Sequence, residues 1–432
     1  MSSTHLANHQ DFTKTSSIVY LGWMTVALFY FYQYILRVAP GVLVTDLRQA
    51  FHLTAEQFST LGSFYLYAYA LCQIPLGIIV DYVGVRKAVL FSITCCLLGT
   101  FLMAYATSLG VLQLSRILVG LGFGCAFMCA LKIVVDYLPT GQRGLLMGAT
   151  LTLGTLGALV AGKPLAMLSD TVGFRLALTY TTVIGCGILL VAYYFLPNPQ
   201  PATLFVVREN RLKNIAKRIV SVLQLKSVML YAFLAVGVYT PLSVLADLWG
   251  VAFLMQKYEL SRVDAAATSM MMYVGLGVGC LFLPWLSEKY HLLNRSIKYC
   301  TFGVVCIFAL LLYGPVLSIT SLQCLLVLLG VCCGVEMLCF TGASHFTLKN
   351  NVGTTLGIVN TLNMLGGGLL QQLIGTVLDK TWAGQLDETG IRLYMTYDYT
   401  VALSVLFAVV SVCLLMCFYL PRDDGKKSPT NN

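Results

Sequence analysis

The chain has 432 residues, 58% of them hydrophobic and only 10% charged, with a formal net charge of +9. Apolar runs of about 20 residues, the length a helix needs to cross a bilayer, recur along nearly the whole chain. This excludes a soluble domain and predicts a polytopic helical membrane protein. The first seventeen residues are polar, with Lys14 as the sole cation, and do not read as a cleaved secretory signal. Fifteen cysteines lie in the apolar runs without metal-ligand spacing, so they read as small, buried, reduced thiols.

Apolar runs and their flanking charges predict twelve spans: about 18–41, 58–80, 88–107, 110–133, 144–167, 174–196, 227–256, 265–287, 296–316, 319–343, 352–378 and 396–420. With the N-terminus inside, seventeen Lys and Arg fall in inner segments and six in outer ones, which predicts both termini in the cytoplasm. The basic charge is therefore a topology signal with anionic lipid as its partner, not a nucleic-acid footprint. Residues 1–17 form a tail, 18–196 one six-helix half, 197–226 a linker, 227–420 the second half and 421–432 a second tail. The linker opens Pro197-Asn198-Pro199-Gln200-Pro201, which cannot continue a helix. It then turns basic with an apolar period (Ile215, Ile219, Val222, Leu223) suited to a helix lying on the inner leaflet. Two halves around a central pathway suit alternating access.

In the first span, Tyr30, Gln33, Tyr34 and Arg37 share one helix face at i, i+3, i+4 and i+7, a face too polar to look at lipid. The planar fork of Arg37 can grip two carboxylate oxygens, and a static helix-packing arginine is the alternative. Between the second and third spans stand Gly77, Asp81, Gly84, Arg86 and Lys87. Their spacing resembles the signature loop of major facilitator superfamily transporters, G-x-x-x-D-R/K-x-G-R/K-R/K, with Tyr82 and Val85 in place of two usual cations. The resemblance implies a latch that gates the inner face. Arg116, followed by Gly120, Gly122 and Gly124, resembles the superfamily's fourth-helix pattern and implies charge coupling; an arginine reaching the outer headgroups is the alternative. In the fifth span Gly154, Gly157, Gly162, Lys163 and Pro164 only partly match the superfamily's antiporter motif, which weakens a drug-efflux reading. The second half repeats the loop weakly at Gly277, Gly279, Pro284 and Ser287 to Lys289.

A narrower resemblance lies in Phe31 to Pro40, in Phe64 to Tyr69 with Gln73-Ile74-Pro75, in Ala130-Leu131-Lys132 and in Ala246 to Gly250. These runs are similar to the phagosomal transporter group of intracellular bacteria, with Asp247 where Glu is expected. That resemblance implies proton-coupled uptake of amino acids or nucleosides across the inner membrane and brings lysosomal dipeptide carriers into view. Embedded charges fit it. Lys132 stands four residues before Asp136 and could pair locally. Asp247 and Glu336 are two of very few acids at depth, so each is a candidate to take up and release a proton, with Asp247 preferred for a substrate ammonium and Glu336 for coupling. Asn363, among Gly366, Gly367 and Gly368, is a plausible binding amide. No nucleotide loop, zinc spacing or nucleophile constellation points to an enzyme or a cofactor.

The sequence thus predicts an all-α, twelve-helix carrier of the major facilitator type, expected as a monomer in a bacterial inner membrane. A small zwitterionic or carboxylate solute would enter with protons, its carboxylate on Arg37 and its amine on Asp247, between Tyr30, Gln33, Tyr34, Tyr67, Trp249 and Asn363. Glu336, Asp247, Arg116 and Lys132 are the coupling candidates. A siderophore, dipeptide or nucleoside importer, an efflux antiporter and a membrane sensor are the alternatives.

Overall fold

The computed structural model describes residues 4–196, 210–348, 351–387, 389–421 and 423; the side chains of 4–18, 74–79, 81, 82, 140 and 210–216 lie outside the described residues. The expected twelve helices are present. They are α1 (Val19–Val42), α2 (Ala55–Val83), α3 (Val85–Ala104), α4 (Leu109–Tyr137), α5 (Gly141–Val172) and α6 (Phe174–Phe195) in the first half. The second half holds α7 (Lys226–Tyr258), α8 (Arg262–Tyr290), α9 (Leu293–Tyr313), α10 (Ile319–His345), α11 (Val352–Thr381) and α12 (Thr396–Tyr419). Among the described residues ten are long and apolar enough to cross a membrane; α2 and α11 complete the twelve and pack on each other between the halves. A further helix, Asn210–Leu223, precedes α7.

Local chemistry sets the boundaries. Thr54 accepts from the Gln57 N–H while Gln57 Oε1 accepts from the Thr54 N–H, a reciprocal cap that starts α2. Gly84, at φ 82, reverses the chain between α2 and α3 in a conformation only glycine adopts freely. Ser261 and Ser318 cap the starts of α8 and α10. The even number of antiparallel helices puts both ends of the bundle's chain on one face, the near face. The loops after α1, α3, α5, α7, α9 and α11 lie on the far face.

Several helices break partway. The α4 and α10 breaks fall at Gly124 and Gly334, each fifteen residues after the helix's first residue, so the two halves repeat this feature. After Pro241, α7 widens into a π-helical stretch, Leu242–Trp249. Proline removes one backbone donor, and wide turns of this kind concentrate at functional sites. Three seams join the halves: α1 on α7, α2 on α11 and α5 on α8.

Candidate functional site

The α1–α7 seam carries a buried ion pair. Arg37 donates from Nε at 3.0 Å and from Nη2 at 2.8 Å to Asp247 Oδ2, and Nη2 also donates to the Tyr239 hydroxyl at 2.7 Å. Tyr273, from α8, donates to Asp247 Oδ1. The guanidinium carbon lies 5.6 Å from the Tyr34 ring centroid, 5.9 Å from Phe123 and 5.7 Å from Tyr239, distances at which aromatic faces attract a cation. Gly41 makes the approach possible, since a Cβ there would sit 2.6 Å from the Asp247 carbonyl oxygen. The π-helical turns place Asp247 in this contact, and both charged side chains are only 5% exposed. Desolvated opposite charges on opposing halves form one neutral unit, so whatever separates them must supply each with a new partner.

The predicted residues separate by what they touch. Tyr30 and Tyr34 stack edge-on at 5.0 Å and join Phe123 and Phe127 beside Arg37. Gln33 is buried against α4, donating to the Gly122 carbonyl at 2.8 Å, and so turns away from that cluster. Tyr67 donates to Gln372 Oε1 at 3.3 Å in the α2–α11 seam. Trp249 is spent on packing: it lies edge-on to Phe58 and donates to the Gln371 carbonyl. Glu336 accepts from Asn363 Nδ2 at 2.5 Å, both groups buried.

Arg116 is 1% exposed and does not reach the headgroups. It donates to the Leu61 and Leu36 carbonyls, each at 2.9 Å, with Tyr65 under its guanidinium, and so staples α1 and α2 to α4. Lys132 lies sixteen residues further along α4, about 24 Å of helical rise. There it pairs with Asp136 at 3.8 Å on a half-exposed surface. Within the signature loop, Gly84 and Arg86 are described, Arg86 donating to the Tyr193 carbonyl, and Lys87 is exposed; the side chains of Gly77 and Asp81 fall outside the described residues. Sequence reasoning missed Tyr239, Tyr273 and Phe123. The available signal for the first two was a tyrosine inside an apolar span, one of them two residues before a mid-helix proline.

The hydrogen bonds that the described residues make between the halves run from Tyr69–Asn360 at mid-depth to the far face. There Arg262 of α8 donates to Asp46 and Asp170 of the first half, and Ser169 adds a bond to Asp46. Asp379, ending α11, accepts from the Ala55 and Glu56 N–H groups at 3.2 and 2.8 Å, so a carboxylate of one half caps the first turn of α2 in the other. Arg392 and Tyr394 hold the same carboxylate, and Arg48 donates to the Arg392 carbonyl. The loop carrying them is folded around Asp387, which the Ile391 N–H, then the Thr389 hydroxyl, hold below the usual carboxylate range. The far face is closed.

Residues 23–370 match the model of the Major Facilitator Superfamily. The chain belongs to this superfamily. Among its curated relatives, the probable sulfoacetate transporter SauU of Cupriavidus necator is 28% identical over 185 residues, 43% of each chain. The galacturonate transporter of Dickeya chrysanthemi is 22% identical over 305 residues, 65% of this chain and 85% of that one. The match to SauU thus spans less than half of that relative's length. A bacterial homolog of the human lysosomal transporter Spinster, solved inward-facing and unoccupied, superposes with a TM-score of 0.71. It covers 93% of this chain and 96% of its own at 15% identity, which establishes the shared fold. As a superfamily member the chain is a multi-pass membrane protein.

Proposed function

We propose that this carrier imports a small carboxylate-bearing solute together with protons across a bacterial inner membrane, with its near face in the cytoplasm. The observation that carries the reading is the Arg37–Asp247 pair, one charge on each half. Arg37 offers a planar fork able to grip two oxygens, and Asp247 occupies it with one, Oδ2, while Oδ1 is held by Tyr273. A proton on Asp247 removes the charge that holds the arginine and frees it for a substrate anion. Proton and anion therefore load together, which is what symport requires. The sulfoacetate and galacturonate relatives are named for anionic solutes, and the excess of Lys and Arg on the near face supports its cytoplasmic placement.

A second reading within the same site is an amino acid, with its carboxylate on Arg37 and its ammonium on Asp247. The opposed charges of the pair favour it.

Uptake of labelled sulfoacetate, galacturonate and mixed amino acids into proteoliposomes, acidic outside, tests both. Arg37→Ala is expected to abolish uptake of whichever solute enters, and undiminished uptake overturns the assignment. Asp247→Asn separates the readings. With an anion, exchange of labelled for unlabelled solute survives while the response to the pH gradient is lost; with an amino acid, both are lost.

A further inference from the structure

A second buried acid, Glu336, lies within electrostatic reach of Arg37. Glu336 is 8% exposed, and Asn363, which donates to it, is fully buried. Among the described residues Asn363 Oδ1 has no hydrogen-bond partner. Gln33 Oε1 and Gln371 Oε1 are buried without a donor as well, but their NH₂ groups bond backbone carbonyls, whereas that of Asn363 bonds an acid. The neighbours of Asn363 on α11 touch the site already described: Met364 accepts from the Tyr239 hydroxyl, and Asn360 donates to Tyr69. The groups that act electrostatically on or with Glu336 are Arg37 from α1, Tyr69 from α2, Tyr239 from α7, Cys280 from α8, and Cys333 and Cys339 from its own helix. Of these only Arg37 carries a permanent charge.

The chemistry of an acid facing an amide has two states. An ionised carboxylate only accepts, so it takes the amide N–H and leaves the amide carbonyl bare. A protonated carboxyl has an O–H to donate, and the bare carbonyl is the acceptor it lacks. Amide oxygen and nitrogen have nearly the same outline, so rotation about the last side-chain bond exchanges them without moving the helix. After that rotation the amide NH₂ stands where the carbonyl stood.

We propose that Asn363 reads the protonation of Glu336 and turns over with it, presenting a carbonyl that repels an anion when Glu336 is ionised and an NH₂ that binds one when Glu336 is protonated. This rests on the reading that the solute is an anion held at Arg37, and it makes Asn363 the residue that selects an anion over a neutral solute. The step balances: one proton taken from the source side forms an O–H bond on Glu336, and the same bond breaks to release it.

Infrared difference spectra of the purified full chain between acidic and neutral pH test the switch without any solute. Glu336→Gln identifies the band of the protonated Glu336 carboxyl. A side-chain amide signal that is lost in Asn363→Ala is expected to titrate with the same midpoint, and the carboxyl band is expected to move in that variant. If no amide signal follows the carboxyl, or the band stays where it was, the proposal is overturned. Asn363→Leu, of similar branched shape but without the amide, serves if the alanine variant fails to fold. Binding of sulfoacetate and galacturonate gives the second arm. Glu336→Gln, whose own amide donates in place of the acid's O–H, is expected to tighten binding at neutral pH by about fivefold or more, and the double variant Glu336→Gln/Asn363→Ala to lose that gain. A gain that persists without Asn363 overturns the switch. Failure of the wild-type protein to bind either anion overturns the anion reading instead, and the infrared result stands apart from it.

Discussion

At the scale of single residues, Arg37 and Asp247 are each other's solvent. Removing one partner of a buried pair strands the other charge and costs about 3–5 kcal/mol, whereas removing both leaves no charge to solvate. Asp247→Ala is therefore expected to lower the thermal unfolding midpoint in detergent more than the double variant Arg37→Ala/Asp247→Ala does. Additive losses from the two single variants would show that the pair contributes no coupling. Half of this pair was plain in the sequence, because an arginine on a face with two tyrosines and a glutamine stands out in an apolar helix. Its partner, 210 positions away, stood out as an embedded acid assigned to the solute's ammonium, with no sign that it bonds Arg37 directly. Local periodicity carries no record of which helix faces which, and this is why Tyr239 and Tyr273 went unseen while Trp249, equally conspicuous, turned out to be a packing residue. Arg116 shows the same limit: its spacing to the glycines of α4 was legible, but its use as a staple for two carbonyls depends on where α1 and α2 end up.

Among the elements, the twelve spans were legible because bilayer thickness fixes their length and their apolar runs hold only a few embedded charges. The breaks inside them were not. Pro241 signals that α7 is disturbed, yet nothing in composition says that the disturbance is a π-helical stretch delivering Asp247 to α1. Gly41 is the element-scale counterpart of that stretch, since it admits the α7 backbone where any side chain would collide with the Asp247 carbonyl and the Leu248 Cα. Gly41→Leu is expected to destabilise the protein by about 1–3 kcal/mol, in the range of overpacking changes. It should also raise amide hydrogen exchange in the short helix Val44–Phe51 that follows α1. Gly110→Leu, the same substitution at an exposed glycine with open space around it, is the matched control and should change neither quantity. Equal effects from both substitutions would mean that the α1–α7 approach is not the constraint.

For the whole molecule, closure of the far face rests on two latches built from opposite ends of the second half. Asp379 places a carboxylate on the first-turn amides of α2, an anion at a helix N-terminus that contributes roughly 0.3–1 kcal/mol when exposed and up to about 2 when partly buried. Arg262 bridges Asp46 and Asp170 at the α5–α8 corner. If the halves move as rigid bodies, these latches share one equilibrium, and a loss of about 1.4 kcal/mol at either shifts the open population tenfold everywhere along the far face. Asp379→Asn should then speed hydrogen exchange at the Ala55 and Glu56 amides and also around residues 259–264, on the other side of the bundle from the substitution. Arg262→Gln should do the converse, and the two together should add in free energy. Faster exchange confined to the first turn of α2 would show that Asp379 is only a helix cap, so that the far face opens by local fraying and not by rotation of one half against the other. Exchange that spreads to both corners shows one motion of the two halves, and the Arg37–Asp247 pair, which joins those halves at the α1–α7 seam, must be strained by it.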